Sequence, residues 1–324
     1  MRIAFIGTGG IARNHAQGLA KRSDVTFVGA CDVDLARSTA FAQEYGGEAY
    51  TDPAEMLDRT KPDAAWVCLP PFAHGEAELS LLDRRIPFLV EKPISNDLAT
   101  ARKILDGVER TGILTSVGYM TRYRRGVQRV RELLQGDPPI LAHGAWIGGA
   151  PGVYWWRVKA LSGGQIVEQT THTFDLARYL MGEPVDVLAR GVTGRVTDMA
   201  DYDVEDASTV AVTFQSGAVA NLMSSCASRA GGGVHMTVVA MHHYATFTGW
   251  DNAVVIRKST LEEERIQGES NIFEVEDAAF IAAVSSDQPD SILSSYADGC
   301  RSLAFCLAAN RSLETGEVVS IASL

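Results

Sequence analysis

The chain has 324 residues, 46% hydrophobic and 21% charged, a globular composition long enough for two domains of ordinary size. Its formal net charge of -11 argues against a nucleic-acid or anionic-membrane partner, because both favour basic surfaces. Five scattered cysteines without a C-x-x-C pair make a disulfide framework or zinc site unexpected, and favour a reducing compartment. No apolar run reaches the roughly 18 residues of a membrane span, and the apolar start is too short for a secretory signal. The expectation is a cytoplasmic protein.

Over residues 1–118, compact apolar runs alternate with helical patterns. RIAFIG (2–7), VTFVGA (25–30), AAWVCL (64–69), PFLVE (87–91) and ILTSVG (113–118) suit strands buried on both faces of a parallel sheet. Between them, DLARSTAFAQEYG (34–46) and HGEAELSLLDRR (74–85) have helical spacing. Strand–helix–strand repetition predicts a doubly wound α/β domain of the Rossmann type.

GTGGIA (7–12) follows the first strand and opens a helix, with the spacing G-x-G-x-x-A. Gly7 permits a tight turn, Gly9 admits a pyrophosphate against the backbone, and Ala12 lets helix and strand pack closely. Thr8, Gly10 and Ile11 complete the loop, whose helix N-terminus offers N–H groups to phosphate. Asp32 ends the second strand at the distance where a carboxylate accepts both ribose hydroxyls. A 2′-phosphate would be repelled there, so NAD is expected and NADP is less favoured. LPPFAH (69–74) follows AAWVCL, so Leu69, Pro70 and Pro71 are expected to wall the cofactor crevice. His74 is either beside the nicotinamide or simply a helix-starting residue.

LVEKPIS (89–95) ends the next strand, which places Glu91 and Lys92 in the same crevice. A lysine there can polarise a substrate oxygen, and Pro93 fixes its backbone. A surface lysine is the alternative.

From residue 119 to 324 the texture becomes that of an α+β domain on a large, mostly antiparallel sheet. STVAVTF and AVANLMSS flank QSG (215–217) as a hairpin, and LAHGAWIGG, VDVLARGV and VHMTVVAMHHYATFTG add strand-like segments. Helical patterns cover 163–182 and roughly 291–314. In the first, Glu168, His172, Asp175 and Tyr179 share one face at i, i+4, i+7 and i+11. Such a stripe suits either a proton-transfer site or a solvated face. A metal site is not expected, since one histidine stands there without a second ligand cluster.

Taken together, GTGGIA, Asp32, EKP at 91–93 and GGQ…E…TH…D at 163–175 resemble the Gfo/Idh/MocA family of NAD(P)-dependent oxidoreductases. The resemblance implies a Rossmann domain followed by an α/β domain with an open sheet used for oligomer contacts, hence a homodimer or homotetramer. It implies hydride transfer between nicotinamide and a CH–OH carbon of a sugar, inositol or related polyol. The family lysine maps onto Lys92 and the proton-transferring histidine onto His172. Glu168 stands where many members carry aspartate, and is expected to orient His172. The resemblance also brings Tyr119, Arg122 and Tyr123 to the substrate, while Arg124, Arg125, Arg129 and Arg131 are read as a solvated helix face. Trp155 or Trp156 is a candidate to cover a sugar ring, with Arg157 binding an oxygen. An NAD-retaining glycosidase and a non-catalytic dinucleotide- or sugar-sensing regulator share the scaffold. Lys92 and His172 together speak for an enzyme.

Overall fold

The computed structural model describes residues 1–286 and 289–324, which form two compact units. The first comprises 1–95, 99–120 and 271–300; the second comprises 96–98, 121–270 and 301–324. Residues 271–300 thus fold with the amino-terminal unit, which the change of texture near 119 does not reveal.

The first unit holds strands β1 (Arg2–Ile6), β2 (Thr26–Cys31), β3 (Glu48–Tyr50), β4 (Ala64–Val67), β5 (Phe88–Val90) and β6 (Thr115–Val117). They form one parallel sheet in the order β3-β2-β1-β4-β5-β6. The order reverses beside β1, and the carboxyl ends of β1 and β4 flank that switch point, where such sheets take their ligands. Helices α1 (Gly10–Leu19), α2 (Leu35–Tyr45), α3 (Pro53–Thr60), α4 (Glu76–Asp83) and α5 (Leu98–Thr111) connect the strands. Helix signals are local: Asp34 and Asp52 each accept an amide of the first turn, and Pro53 starts α3.

Apolar residues on both strand faces build the core. Phe5 packs with Phe27, Phe41 and Trp66 at centroid distances of 5.8, 5.1 and 5.7 Å. Truncating Phe5 to alanine would cost about 3–5 kcal/mol. A later helix, α10 (Ile272–Ser286), returns to α1, and Gly18 makes room for it, since a Cβ there would press on Glu274. Phe280 of α10 meets Trp66 edge-on at 5.3 Å.

The second unit begins with α6 (Arg125–Gly136), β7 (Pro139–Ile147), α7 (Lys159–Ser162), α8 (Gly164–Glu168) and α9 (Thr171–Met181). Strands β8 (Pro184–Val192), β9 (Ala207–Phe214), β10 (Val219–Ser225), β11 (Gly233–Ala240), β12 (His243–Thr248), β13 (Ala253–Lys258) and β14 (Glu263–Ile266) follow. The chain closes with α11 (Tyr296–Thr315) and β15 (Val319–Ser320). One nine-stranded sheet results, in the order β14-β13-β12-β11-β7-β10-β9-β8-β15. It is antiparallel except where β7 pairs with β10. Alternation in ASTVAVTF buries Ser208, Val210, Val212 and Phe214 on one face. Helix α9 packs on that side: Gly144 of β7 leaves space for Thr173, and Phe305 packs between Phe174, which it meets tilted, and Phe214, which it meets edge-on.

The QSG hairpin is present, with Gly217 at φ +84°. The run VHMTVVAMHHYATFTG is two strands rather than one, folded back at Met241–His242. The pattern over 163–182 is also two helices, broken at Gln169–Thr170. All five cysteines are free and buried. Among the described residues, no helix is long and apolar enough to cross a membrane.

Candidate active site

The loop after β1 is shaped by two different demands. Gly7 has φ +88°, and a Cβ there would strike the Cys68 carbonyl, so the fold itself requires glycine. Gly9 and Gly10 are different: a Cβ on either would meet nothing within 4 Å. Nothing among the described residues forces small residues there, which fits a ligand lying against the backbone. Gly9 caps α1 with no side-chain hydrogen bond, leaving the first-turn amides free of a side-chain cap. Ala12 is fully buried against the sheet and Ile11 packs on the same core.

Asp32 is tied to this loop. Its Oδ2 accepts the Thr8 amide at 3.0 Å and the Thr8 hydroxyl at 2.9 Å, and its Oδ1 accepts the Asp34 amide at 3.1 Å. The carboxylate is half-buried and held in one orientation, as a ribose acceptor must be. The residues therefore fit NAD: loop amides for pyrophosphate, Asp32 for the ribose.

Beyond β4, Leu69 and Pro70 are half-buried and Pro71 opens a short 3₁₀ turn. His74 ends that turn, its Nδ1 2.5 Å from Glu78 Oε1, while Gly75 donates to Glu78 Oε2 at 2.8 Å. Burial alone would raise the Glu78 carboxyl; the His74 charge and hydrogen bond outweigh it and hold the group below the usual range. The opposite nitrogen, Nε2 of His74, is buried without a hydrogen-bond partner among the described residues. His74 is thus more than a helix start: its ring is oriented, with one atom to spare.

Glu91, at the end of β5, is spent inside the protein. Its Oε1 lies 3.0 Å from His15 Nε2, and its Oε2 accepts the amide of Lys92 at 3.0 Å. His15 Nδ1 is 2.7 Å from Asp277 Oδ1, which also accepts Trp66 Nε1–H at 2.8 Å. Burial works to lower the His15 pKa, but the two carboxylates prevail and raise it well above the ordinary value. Donor atoms of His15, Glu91 and Glu276 lie within 4.8 Å of one another. Since both His15 nitrogens already face carboxylates, the cluster is an internal ion network around a charged imidazole. It fixes the backbone on which Lys92 stands. Tyr119, in the same unit, is 1% exposed and packs as core.

In the second unit the polar stripe is not a solvated face; nearly all of α9 is buried. Asp175 receives Nε and Nη2 of Arg122 at 2.8 and 2.6 Å and the Ser302 hydroxyl at 2.6 Å. Arg122 is 2% exposed and also stacks over Tyr179 at 4.7 Å, so its guanidinium serves the fold. Tyr179 in turn accepts from Gln128 and Arg131. Arg124 departs from the expected solvated face as well: it is 1% exposed, donating to the carbonyls of Glu269 and Trp250 at 2.9 and 3.1 Å. Arg125 and Arg129 form surface pairs with Glu269, Glu132 and Glu264.

Trp156 is 1% exposed, packed with Val204 and Cys226, and donates its Nε1–H to Glu168 Oε2 at 2.5 Å. A ring so enclosed cannot cover a sugar, whereas its neighbour Trp155 is only partly buried. Arg157 lies over Tyr154 at 5.2 Å, and Tyr123 is half-buried. Glu168 ends α8 and His172 lies in the first turn of α9, so the carboxylate and imidazole belong to successive helices.

His172 is 7% exposed and enclosed by two residues the sequence reading passes over. Trp146 of β7 stacks on its ring at 5.8 Å and 14°, and Trp250 stands edge-on at 5.5 Å and 88°. The tryptophans meet each other at 5.2 Å and 82°. The only sequence signal is an aromatic residue directly after Gly249 in a hairpin turn. Thr121, Thr173, His235, Met236 and Asn252 are among the other residues that line this pocket.

Fold and loop together define a dinucleotide-binding scaffold. The sequence profile for an oxidoreductase family with an NAD-binding Rossmann fold matches residues 1–119, and that for the GFO/IDH/MocA carboxyl-terminal domain matches 127–244. The chain belongs to the Gfo/Idh/MocA family of oxidoreductases. A myo-inositol 2-dehydrogenase of Thermotoga maritima is 29% identical over 225 residues, 68% of this chain and 66% of that enzyme. The D-glucoside 3-dehydrogenase of Escherichia coli is 29% identical over 247 residues, 70% of each chain. The matched stretch therefore spans about two thirds of these relatives' lengths. In fold, the chain is similar to a UDP-N-acetylglucosamine 3-dehydrogenase of Acidithiobacillus ferrooxidans, with TM-score 0.84 and 23% identity over 97% of this chain and 98% of that one.

Proposed function

We propose that the protein is an NAD-dependent oxidoreductase acting on a hydroxyl or carbonyl carbon of a sugar, inositol or related polyol. Bound NAD supplies the hydride acceptor, and NADH the donor in reverse. Lys92 donates an ammonium N–H to the substrate oxygen as negative charge develops. His172 takes the hydroxyl proton in oxidation and returns it in reduction. Glu168 orients His172, its own carboxylate steadied by the Trp156 N–H.

The observation that carries this reading is the setting of Lys92. It follows β5 at the carboxyl edge of the parallel sheet, on a backbone held by Glu91, in the unit that carries the dinucleotide loop. The test is NADH formation from a panel of free inositols, aldoses and uronates. Lys92→Met and His172→Ala are each expected to lower turnover about 10²–10⁴-fold with NADH affinity retained. Unchanged turnover in either variant would remove the mechanism. NADH released from a free polyol, without glycoside cleavage, also separates a dehydrogenase from an NAD-retaining glycosidase.

We further propose a homodimer or homotetramer that uses the sheet face where Leu141, Leu188 and Val219 are 42%, 37% and 46% exposed. Leu188→Asp with Val219→Asp is expected to yield monomers in light scattering. A monomeric wild type would refute the assembly.

A further inference from the structure

The three-ring cluster in the second unit leaves an exposed indole beside the imidazole of His172. Trp146 covers one face of His172, and Trp250 stands upright on the pair, yet Trp250 is 49% exposed. An indole so placed is not there to complete a core.

The backbone that carries Trp250 is also held. Its carbonyl accepts Nη2 of the buried Arg124 at 3.1 Å and Nδ2 of Asn252 at 3.2 Å. Arg124 is anchored in turn by the Glu269 carbonyl. A binding surface gains from such rigidity, since little freedom is lost when a ligand settles.

The lining has a definite chemistry. Thr121, Thr173 and Asn252 supply hydroxyl and amide groups, and among the described residues no lysine, arginine or carboxylate lines the pocket. Burial, with His143 nearby, holds His235 below the ordinary histidine range, so that ring is uncharged at neutral pH. Arg122 is committed to Asp175.

We propose that Trp250, backed by Trp146, is the platform on which the C–H face of a neutral cyclic polyol or pyranose rests, and that this stacking selects the substrate. The inference rests on the reading of His172 as the proton-transfer group. A six-membered ring presents a rigid face of C–H bonds to an indole, while its equatorial hydroxyls point outward to threonine and asparagine. A linear alditol has no such persistent face. A sugar phosphate or uronate would find no counter-charge in this pocket.

The experiment measures binding to the NADH-loaded protein by saturation-transfer NMR and tryptophan emission. The probes are inositols and methyl hexopyranosides, with sorbitol, glucose 6-phosphate and glucuronate as comparators. At least one ring probe is expected to bind with its C–H protons in contact with protein and to quench emission. Trp250→Ala should weaken it about tenfold, and Trp250→Phe should stay within about threefold. NADH affinity is expected to be unchanged in both. Wild-type affinity in Trp250→Ala, failure of every ring probe to bind, or equal binding of sorbitol or the anionic sugars would overturn the platform. His172→Ala separates the two readings. Ring binding kept with turnover lost supports both, whereas turnover kept defeats the catalytic reading and leaves the platform to be judged on Trp250 binding.

Discussion

His15 and Glu91 are buried together, with Nε2 of the imidazole 3.0 Å from Oε1 of the carboxylate, and Asp277 closes on the other ring nitrogen at 2.7 Å. Removing the imidazole leaves two carboxylates without their counter-ion. His15→Leu is expected to cost about 3–5 kcal/mol in urea unfolding, the range for one partner removed from a buried pair. His15→Gln should cost less, because an amide still donates to one carboxylate. Turnover should fall in both, since Glu91 also holds the Lys92 amide.

The same ion network has a pH signature. The folded-state pKa of His15 is raised above its unfolded value, so the network's contribution is fully present below the unfolded pKa, about 6.5. It fades as pH rises through the folded value. The stability gap between wild type and His15→Gln should therefore be widest in mildly acidic buffer and shrink in alkaline buffer. A gap that widens with rising pH would mean that the imidazole is buried neutral.

Gly7 and Gly9 invite opposite substitutions. Gly7→Ala combines a positive φ with a clash on the Cys68 carbonyl, so it is expected to destabilise the fold by about 1–3 kcal/mol or more. Gly9→Ala has an ordinary φ of -72° and open space, so stability should stay within about 0.5 kcal/mol. Its NADH affinity should nevertheless fall at least about tenfold, because on the proposed reading the pyrophosphate lies where the methyl would stand. Full affinity in a stable Gly9→Ala protein would show that no ligand approaches there.

On the proposed reading, Asp32 sets the choice of cofactor. Asp32→Ser removes the charge that repels a 2′-phosphate and weakens the acceptor for the ribose hydroxyls. NADH binding is expected to weaken about tenfold or more while NADPH binding holds or improves, as charge-assisted hydrogen bonds of this kind suggest. Equal losses for both would place the carboxylate's importance in its hold on Thr8 alone.

What could be read in advance was whatever the chain encodes over short distances. The parallel strands announce themselves because both faces are apolar, and GTGGIA with Asp32 because loop chemistry fixes their spacing. The failures share a cause in partners far apart in sequence. Asp175 looked like a companion for His172 one turn away, but Arg122, 53 positions earlier, takes it. Helix α10 carries no local signal of its burial, since the partner of its buried Asp277 is His15, 262 positions away. The aromatic enclosure of His172 joins a strand, a helix and a turn, and no local pattern links them. The turn at Met241–His242 carries neither glycine nor proline, so two strands read as one.

Arg122 provides the last contrast, since a substrate-binding arginine and a structural one respond differently to replacement. The guanidinium is 2% exposed and grips Asp175 through two parallel hydrogen bonds, a geometry lysine cannot reproduce. Arg122→Leu should lose about 3–5 kcal/mol of stability, as expected when one member of a buried pair is removed. Arg122→Lys should recover only part of that, because a single ammonium cannot satisfy both oxygens. Replacing both residues, as Arg122→Leu with Asp175→Leu, should be milder than either single change, since no charge is left stranded. Discrimination between neutral and anionic sugars should not move in whichever of these variants folds. If Arg122→Lys instead unfolds like wild type and loses affinity only for phosphorylated or carboxylated probes, the arginine serves the substrate after all.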